Sequence, residues 1–596
     1  MKISMAQMKV IPKQLESNFQ MMISLIDEAK QSGSDCIIFP ELTLSGYLLA
    51  DLWYNPSFIS QCESYNKKIM EMSSDIVIVW GNITTNLDNY QKGTDGRQSL
   101  FNCAFIAHNQ SYLVRENGNN LPYVKNLLPN YRIFEDSRYF ISGQRFDPKL
   151  MYSPFITVIK NQKVRIALEV CEDLWSEHYD QNPTAMWANK KIDLLINISS
   201  SPWTQNKEKA RDNHLIHSTK YYKIPYFIYV NVVGMQNTGK NVVVFDGGSK
   251  CINSLGQVLS KCNDVFEQEL NTFELEQSHV VKSTYNQDKL LFAIVNGIKE
   301  FDQQILKGNV QWIIGLSGGI DSSVSAALLV YALGSHRVVG VNMPSKYNKQ
   351  ITILNAEITA ASLDIEYIEV PIEPIVTATS STVKLDEITP DSAGIIENIQ
   401  ARVRGHLLST IAATKHGVVV NNGNKVETAL GYCTLYGDTI GALSPLGDCT
   451  KMEVFELAIK LNQLFQKEVI PNNLIPKEDN LGLHFDFMPS AELRENQIDP
   501  MKWGYHDYLV QLYCEYPSYG FSDLIQQYKN GSIWNHEVAK WLKFYHLITY
   551  EAFINDLNWV SEQIQSSVFK RIQMPPIILV SKGAFGSDFR ENQGNI

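Results

Sequence analysis

The chain has 596 residues, too many for one hydrophobic core, so its length predicts two or more domains. Apolar residues make up 44% of the composition and charged residues 19%, values that exclude a disordered or fibrous protein. The net charge of −11 argues against a nucleic-acid partner, because phosphate contacts need clustered Lys and Arg.

Nine cysteines are scattered along the chain without CxxC spacing. This pattern favours a reducing compartment over a disulfide framework or a zinc ribbon. The N-terminus is typical of a short strand rather than a signal peptide, and no apolar run is long enough to span a bilayer. We therefore expect a cytoplasmic protein without a membrane partner.

Residues 1–265 alternate strands with helices, which predicts an α/β domain. Apolar residues from Leu15 to Ala29 recur at intervals of three, four and seven, so a helix is expected there. Strands are predicted at 36–39, 76–80, 164–168, 194–198 and 227–230. Several polar residues stand where these strands end, which is where α/β folds place their chemistry.

Three segments of this region carry candidate catalytic side chains. Glu41 follows one predicted strand, Lys125 precedes a turn, and Cys171 stands at the end of another strand. In this order they resemble the nitrilase-like glutaminase domain with its Glu-Lys-Cys catalytic set. The resemblance covers residues 1–265 and implies an N-terminal nitrilase-like α-β-β-α sandwich. For Cys171 taken alone, a buried structural cysteine is the alternative.

Chemistry gives each member of this set a role. Cys171 as a thiolate would attack the γ-carboxamide of glutamine, forming a thioester and releasing ammonia. Glu41 would take the thiol proton and later activate the hydrolytic water, while Lys125 would stabilise the oxyanion. The resemblance further implies that the substrate glutamine is held by Tyr131, Ser201 and Lys207.

Two departures from the family pattern occur in this half of the chain. Glu135 and Asp136 stand in the reverse of the usual order of acids, which predicts altered geometry around the site without loss of its chemistry. Residues 235–241 read Met-Gln-Asn-Thr-Gly-Lys-Asn, where the family has Gly-Gln-Asp and a shorter loop. Contacts made by that loop are expected to differ.

Residues 266–285 are polar and weakly patterned, which predicts a linker between two domains. Residues 286–596 resume the strand–helix alternation and then become largely helical. Within them, residues 313–323 read Ile-Ile-Gly-Leu-Ser-Gly-Gly-Ile-Asp-Ser-Ser, an apolar strand followed by a glycine-rich turn and a helix start. Free backbone amides and the helix N-terminus predict an anion site in this turn.

The lysine of the GxxxxGK[ST] phosphate loop is absent from this turn, so transfer of a γ-phosphate is not expected. The stretch instead resembles the pyrophosphate loop of the ATP pyrophosphatases. These enzymes cleave ATP between its α and β phosphates and adenylate a carbonyl or carboxyl group.

Two segments downstream extend the pattern. Residues 397–404 begin a helix with two arginines, which suit bidentate phosphate contacts. A strand at 417–420 ends in a glycine-containing turn, after which Glu427 can serve a Mg²⁺ bound to ATP. Together with the loop, these segments resemble the NAD synthetases over most of residues 286–596.

This second resemblance implies a Rossmann-like parallel-sheet domain of the adenine nucleotide alpha hydrolase (ATP pyrophosphatase) type. It also implies a homo-oligomer, a dimer through this domain or larger. Asp321 and Glu427 would hold Mg²⁺, and Asn398, Glu427 and Lys570 would contact deamido-NAD. The ATP-binding residues would be Gly315, Leu316, Ser317, Gly318, Gly319, Ile320, Asp321, Ser322 and Asn422.

Four residues depart from the pattern of the NAD synthetases. Asn422 replaces a threonine and Val426 a serine, so ATP contacts through those hydroxyls must differ. In the C-terminal tail, Ile577 and Leu579 stand where a glycine and a lysine are usual.

A nitrilase-like glutaminase followed by an NAD synthetase is the domain order of the glutamine-dependent NAD synthetases. The resemblance implies ATP-dependent amidation of deamido-NAD to NAD through an acyl-adenylate. Ammonia from glutamine would pass between the domains, and AMP, pyrophosphate and glutamate would be released. Because ammonia is mostly ammonium at neutral pH, producing it in an attached domain keeps it neutral and close.

Three alternatives stay open on the sequence alone. Another ATP-pyrophosphatase amidotransferase, acting on a nucleotide or a tRNA base, would share residues 313–323 but lack the pattern from Asn398 to Glu427. A nitrilase-type amidase with a degenerate ATP domain would hydrolyse glutamine without using ATP. A non-catalytic protein would bind ATP or deamido-NAD without turnover, although the complete catalytic set argues against it.

Overall fold

The structure is a computed structural model, and it describes residues 1–85, 87, 98–263, 266–276, 280–281, 286–385, 393–479, 482–495, 497, 499–516 and 520–592. The chain divides into two compact units. The first contains Met1–Thr238 and Val243–Ala293, and the second contains Gly239–Val242 and Ile294–Ile596. Among the described residues, every helix is too short or too polar to cross a lipid bilayer.

The N-terminal unit is built mainly of strands. These are β1 (Lys2–Gln7), β2 (Cys36–Ile38), β3 (Val77–Thr85), β4 (Leu100–His108), β5 (Ser111–Tyr112), β6 (Tyr123–Val124), β7 (Phe155–Ile159), β8 (Gln162–Val170), β9 (Leu194–Ser199), β10 (Tyr226–Asn231), β11 (Val233–Asn237), β12 (Asn241–Asp246), β13 (Lys250–Asn253), β14 (Val258–Lys261) and β15 (Glu269–Glu274). Its helices are α1 (Leu15–Gln31), α2 (Pro56–Glu71), α3 (Asp136–Tyr139), α4 (Pro148–Met151), α5 (Pro183–Trp187) and α6 (Lys207–Tyr221).

Two sheets form the centre of this unit. One has the strand order β15-β1-β2-β3-β4-β5, with β6 also paired to β4, and the other has the order β14-β13-β10-β9-β8-β7. Strands β1 and β4 contact β10 and β8 across the two sheets, while α2 packs on β3 and α6 packs on β10 and β13. This arrangement confirms the predicted α-β-β-α sandwich.

Hydrophobic periodicity explains the first of these elements. Helix α1 buries Leu15, Phe19, Met22 and Ile26 on one face, as the sequence predicts. Strands β1, β2 and β3 are parallel, as are β8, β9 and β10. The carboxyl ends of each set of three therefore meet at one edge of their sheet, where the polar strand-end residues converge.

The structure differs from the sequence analysis within the predicted linker. Residues 269–274 form β15, which pairs antiparallel with β1 from Lys2 to Gln7. All six residues of this edge strand are half-buried. The strand therefore has neither the alternation of apolar and polar residues nor the continuous apolar run that indicates a strand in a sequence. Residues 277–279 and 282–285 of the linker lie outside the described residues.

A buried cluster of charges fixes the start of α6 within the first unit. Arg211 Nη1 and Nη2 donate to the two carboxylate oxygens of Asp246 at 3.0 and 2.9 Å. Lys289 Nζ lies 3.2 Å from Asp246 Oδ2 and 2.7 Å from Glu208 Oε2. Because α6 begins at Lys207, this cluster determines where that predicted substrate residue stands.

The second unit alternates helices and strands before its helical end. Its strands are β16 (Gln311–Gly315), β17 (Val338–Asn342), β18 (Glu366–Glu369), β19 (Gly417–Val420), β20 (Lys477–Asp479), β21 (Gly482–His484) and β22 (Ile577–Leu579). Its helices are α7 (Lys289–Ile305), which starts in the first unit, α8 (Ile320–Leu333), α9 (Gln350–Leu363), α10 (Glu373–Thr382), α11 (Ala393–Thr414), α12 (Lys425–Leu430), α13 (Lys451–Phe465), α14 (Tyr505–Glu515), α15 (Phe521–Asn530), α16 (Val538–Phe544), α17 (Tyr550–Ser566) and α18 (Val568–Arg571).

The main sheet of this unit is parallel, with the strand order β18-β17-β16-β19. Successive strands run outward from β16 in one direction, and β19 then lies on its other side. The order therefore reverses at β16, and a crevice opens there at the carboxyl ends of the strands. This sheet confirms the predicted Rossmann-like domain.

Strand β22 accounts for the two departures in the tail. Ile577 and Leu579 are 3% and 0% exposed, and a Cβ added to Gly447 would lie 3.0 Å from Ile577. Where the family pattern has a glycine and a lysine, this chain has two core side chains. Val426 is likewise buried in the core formed with the C-terminal helices.

We expect Asp246→Asn to destabilise the chain by about 3 kcal/mol or more, because it leaves the buried Arg211 guanidinium without its counter-ion. Urea denaturation of the full chain measures this loss. The matched control is Lys163→Gln, which breaks an exposed ion pair with Glu116 at 3.5 Å. The control is expected to change stability by less than about 1 kcal/mol. Equal effects of the two variants would contradict a structural role for the buried cluster.

Candidate active sites

The first unit brings together the three residues of the predicted catalytic set. Glu41 follows β2, Lys125 follows β6, and Cys171 directly follows β8. Lys125 Nζ lies 2.9 Å from Glu41 Oε1, and both side chains are fully buried. The Cys171 thiol lies close enough to Glu41 and Lys125 for both charges to act on its pKa.

Burial favours the neutral form of the Cys171 thiol, so a base is needed to form the thiolate. Burial raises its pKa well above the ordinary value, the Glu41 carboxylate raises it further, and the Lys125 ammonium lowers it. The backbone at Cys171 has φ +46°, a left-handed conformation that is costly for a residue with a Cβ. Asn197 Nδ2 donates to the Cys171 carbonyl at 3.4 Å and helps to hold this conformation.

The Glu41 carboxylate is fixed at both of its oxygens. Asn102 Nδ2 donates to Oε1 at 2.7 Å, and the backbone N–H of Ser200 donates to Oε2 at 2.8 Å. The Ser200 hydroxyl also donates to the Glu41 carbonyl at 2.8 Å. A carboxylate held in this way can exchange a proton with the neighbouring thiol without moving.

Lys125 is shared between two carboxylates. Its Nζ lies 2.7 Å from Asp136 Oδ2, and the Tyr47 hydroxyl donates to Asp136 Oδ1 at 2.5 Å. Burial lowers the pKa of Lys125, but Asp136 and Glu41 outweigh this effect and keep the pKa well above its ordinary value. Glu135 and Asp136 stand in the reverse of the family's order, but a buried carboxylate, that of Asp136, still contacts Lys125.

Of the predicted glutamine-binding residues, Tyr131 and Lys207 lie near enough to Cys171 for its charge to act on their pKa values. The Tyr131 hydroxyl donates to Glu172 Oε1 at 3.1 Å, and Lys207 Nζ lies 5.9 Å from the centre of the Trp175 ring. Burial lowers the pKa of Lys207 to about 8, although the charges of Cys171 and Glu172 oppose this change. Ser201 is anchored through its backbone N–H, which donates to the Asn231 side chain at 2.8 Å.

Glu172 is a buried carboxylate of this site that the sequence analysis did not identify. It accepts hydrogen bonds from Tyr131 and, at 3.0 Å, from Tyr179, and burial raises its pKa to about 7. The sequence feature that could have indicated Glu172 is its position next to Cys171, at the end of a predicted strand.

The second unit contains a cavity of about 460 Å³ at the carboxyl ends of β16 and β19. Most of the predicted residues line it: Gly315, Ser317, Gly319, Ile320, Asp321, Ser322, Asn398, Asn422, Glu427 and Lys570. Leu316 and Gly318 do not line it. Leu316 is fully buried, and Gly318 packs against Thr352 at the start of α9.

The glycine-rich turn is shaped by close backbone packing. Gly318 has φ +81°, and a Cβ there would lie 1.8 Å from the Thr352 carbonyl oxygen. Helix α8 begins at the next residues, so its free amides and positive dipole end face the cavity. This geometry suits a phosphate group.

Two carboxylates and one lysine face each other in the cavity. Lys451 Nζ contacts Asp321 Oδ2 and lies 3.4 Å from Glu427 Oε1. Burial raises the pKa of Glu427 to about 7, with Lys451 opposing and Asp321 adding to the change. Lys451 is absent from the predicted site residues. The sequence feature that could have indicated Lys451 is its position directly after Thr450, whose side chain caps α13.

Lys570 and Asn398 border the cavity by holding the loop after α12. Lys570 Nζ donates to the carbonyls of Gly431 and Cys433, at 2.8 Å each. The Thr434 hydroxyl donates to Asn398 Oδ1 at 3.2 Å. Two of the three residues predicted to contact deamido-NAD, Asn398 and Lys570, therefore stand beside the same loop of the cavity, and the third, Glu427, faces Lys451.

Comparison with known proteins agrees with both units. Residues 2–284 match the family model for carbon-nitrogen hydrolase, and residues 293–527 match the model for NAD synthase. The chain is 31% identical over 605 residues to the glutamine-dependent NAD(+) synthetase of Synechocystis sp., covering 99% of this chain and 97% of that protein. The chain belongs to the glutamine-dependent NAD(+) synthetase family.

Two further members of the family are similar over their whole length. The glutamine-dependent NAD(+) synthetase of Thermotoga maritima is 27% identical, with 99% of this chain and 98% of that protein covered. The solved structure of the glutamine-dependent NAD+ synthetase from Acinetobacter baumannii in complex with ADP has a TM-score of 0.69 and 26% identity. That alignment covers 99% of this chain and 97% of that chain.

The cavity includes Asp321 and Glu427, the two carboxylates that the sequence analysis assigned to a magnesium ion. Within the part of the chain that the structure describes, no group of three or more His, Cys, Asp or Glu could hold a metal. Asp321 and Glu427 supply two carboxylates, which is the number that Mg²⁺ commonly takes from a protein when phosphates supply further ligands.

Gly318→Ala is expected to lower the free energy of unfolding by about 2 kcal/mol or more, because the left-handed backbone and the Thr352 carbonyl both oppose a Cβ. Gly319→Ala is the matched control. Gly319 has φ −87°, and its nearest neighbour to a new Cβ would be Ser317 Oγ at 3.4 Å. Chemical denaturation of both variants measures the difference, and a Gly318→Ala chain as stable as Gly319→Ala would contradict the turn geometry.

Proposed function

We propose that this chain uses ATP and glutamine to convert deamido-NAD to NAD, releasing AMP, pyrophosphate and glutamate. One observation carries the proposal. A buried thiol stands beside a carboxylate–lysine pair in one unit, and a glycine-rich anion turn faces two carboxylates in the other. The first site alone would use glutamine without ATP, and the second site alone would use ATP without glutamine. Similarity to glutamine-dependent NAD(+) synthetases along 99% of the chain supports it.

In the first unit, we assign glutamine hydrolysis to Cys171, Glu41 and Lys125. Glu41 takes the thiol proton as the sulfur attacks the γ-carbonyl carbon, and the Lys125 ammonium stabilises the oxyanion. The C–N bond then breaks, and Glu41 returns the proton to the leaving ammonia. Water, deprotonated by Glu41, cleaves the thioester to give glutamate and the free thiol.

Recognition of glutamine follows from the charges around the thiol. The buried Glu172 carboxylate, with Tyr131 beside it, matches the α-ammonium group of the amino acid. The ammonium of the half-buried Lys207 matches the α-carboxylate. Pairing with substrate compensates for the burial of both groups, which supports a zwitterionic amino acid as the ligand.

In the second unit, the nicotinate carboxylate of deamido-NAD attacks the α-phosphorus of ATP. Amides of the turn at Ser317–Gly319 and the positive end of α8 stabilise the leaving pyrophosphate. Asp321 and Glu427 would hold Mg²⁺, which neutralises phosphate charge when bound. Ammonia then attacks the acyl-adenylate carbonyl, and AMP leaves. Asn398 and Lys570 position the loop against which deamido-NAD would lie.

We further propose a homo-oligomer, a dimer through the synthetase domain or larger, as the working form. The family resemblance motivates this proposal. The cytoplasm is the proposed compartment. All nine cysteines lie in the described part of the chain and are free thiols, as a reducing environment favours. The division into a glutaminase domain (1–265) and a synthetase domain (286–596) likewise stays a proposal.

Cys171→Ala is expected to abolish NAD formation with glutamine and to preserve it with an ammonium salt, because the second site receives ammonia from either source. The measurement is NAD yield from ATP, Mg²⁺ and deamido-NAD with each nitrogen donor. Cys251→Ala, a buried cysteine within β13, is the control and should retain both activities. Equal loss with both nitrogen sources in Cys171→Ala would refute the assignment.

Glu172→Gln is expected to raise the KM for glutamine about tenfold or more with a smaller change in kcat, because it removes the charge facing the α-ammonium group. Steady-state glutaminase kinetics measure this change. Tyr179→Phe, which removes one hydrogen bond to Glu172 and keeps its charge, should have a smaller effect. A KM within twofold of the unmodified enzyme would remove Glu172 from the binding site.

The same variant has a stability signature with a defined sign. Burial raises the pKa of Glu172 from 4.5 to about 7 in the folded chain, so stability is lost as pH rises between these values. Gln carries no such penalty. Glu172→Gln is therefore expected to be more stable than the parent at pH 8, by up to about 3 kcal/mol, with a smaller difference at pH 4. A gap independent of pH would contradict this origin.

A further inference from the structure

Asp173 is a buried carboxylate of the first unit that takes no direct part in the proposed chemistry. It lies two residues after Cys171, in the turn that follows β8, and its side chain is fully buried. Burial raises its pKa to about 6, while hydrogen bonds from the backbone N–H groups of Leu127 and Val170 lower it. At neutral pH the side chain is therefore mainly ionised, and in that form it can only accept hydrogen bonds.

The two carboxylate oxygens of Asp173 accept from different parts of the site. Oδ1 accepts from the Leu127 N–H at 2.8 Å and from the Asn126 N–H at 3.1 Å. Oδ2 accepts from the Tyr123 hydroxyl at 2.9 Å and from the Val170 N–H at 3.2 Å. These donors occupy the about four acceptor positions that a carboxylate offers.

The hydrogen bonds of Asp173 join the segment of Lys125 to the turn of Cys171. Strand β6 ends one residue before Lys125 and belongs to the first sheet, whereas β8 ends one residue before Cys171 and belongs to the second. The backbone N–H of Lys125 donates to the Asn102 carbonyl of β4, within its own sheet, at 2.9 Å. Asp173 adds a link from this segment to the other sheet, where the thiol stands.

We propose that Asp173 is a positioning residue for glutamine hydrolysis, which sets the distance between the Lys125 ammonium and the carbonyl that Cys171 attacks. The inference rests on the proposed function, because it assumes that Cys171 attacks the amide of glutamine. An oxyanion is stabilised well only by a donor that is already in place when the charge develops. A displacement of about 1 Å can cost about a hundredfold in rate.

The test is Asp173→Asn in the full chain. The amide keeps one acceptor oxygen but turns an NH₂ group toward N–H donors, so it cannot hold both sheets as the carboxylate does. We expect kcat for glutamine hydrolysis to fall about tenfold or more and KM to change less than about threefold, because the misplaced ammonium acts on the transition state. NAD formation with an ammonium salt should be retained.

Alkylation of the thiol separates positioning of Lys125 from loss of structure. Iodoacetamide forms an S–C bond with the thiolate as iodide leaves, and this step develops no oxyanion. The rate of labelling at Cys171, followed by mass spectrometry, should therefore stay within about threefold of the unmodified chain in Asp173→Asn.

Tyr123→Phe is a second variant, which removes one donor to Asp173 and keeps the carboxylate. It should lower kcat for glutamine hydrolysis by about two- to fivefold, as the loss of one hydrogen bond predicts. It replaces Asp173→Asn if that chain does not fold, as judged by circular dichroism.

Glu63→Gln is the matched control. Glu63 is a half-buried carboxylate of the same unit that also accepts from a backbone N–H, that of Thr85 at 2.6 Å, and from the Thr84 hydroxyl at 2.7 Å. Because these contacts lie within the pair of α2 and β3, the control should keep kcat for glutamine hydrolysis within about twofold.

A kcat in Asp173→Asn within about twofold of the unmodified chain would overturn the inference. So would a parallel loss of glutamine hydrolysis, ammonium-supported NAD formation and Cys171 alkylation, because that result would show a purely structural role. Failure of the proposed function is distinguishable from both results, since the unmodified chain would then hydrolyse no glutamine.

Discussion

Both candidate sites depend on a buried lysine held between two carboxylates. Lys125 lies between Glu41 and Asp136 in the first unit, and Lys451 lies between Asp321 and Glu427 in the second. A charge in such a position costs free energy unless its partners are fixed. The carboxylate partners of each lysine are held by strand ends, capping residues and amide contacts. The fold and the proposed chemistry therefore both require that these carboxylates stay in place.

The charge balance of the two clusters is the same, and its consequences differ. Two carboxylates and one ammonium leave a net negative charge. Beside Cys171, we propose that the excess gives the thiol proton an acceptor while the ammonium stays available for an oxyanion. In the cavity of the second unit, the same excess lies beside the amides and the positive helix end of the glycine-rich turn, so the cavity presents charge of both signs.

Sequence reasoning succeeded where one local pattern determines position. Glu41 and Cys171 follow buried parallel strands, so their places at strand ends could be predicted. Contacts with distant elements could not be predicted. Glu172 matters through its hydrogen bond from Tyr131, and Lys451 through its contacts with Asp321 and Glu427. The edge strand β15 was missed because its half-buried residues do not alternate between apolar and polar. In the tail, a buried strand explains why a leucine, Leu579, stands where the family usually has a lysine.

The central claim is that nitrogen from the amide of glutamine reaches the carboxyl group activated in the second unit. Incubating the chain with amide-¹⁵N glutamine, ATP, Mg²⁺ and deamido-NAD, in a buffer containing unlabelled ammonium at low concentration, tests it most directly. The account predicts ¹⁵N in the carboxamide of the NAD product, together with AMP and pyrophosphate, by mass spectrometry. NAD without the label, or ¹⁵N ammonia released with no NAD formed, would contradict it.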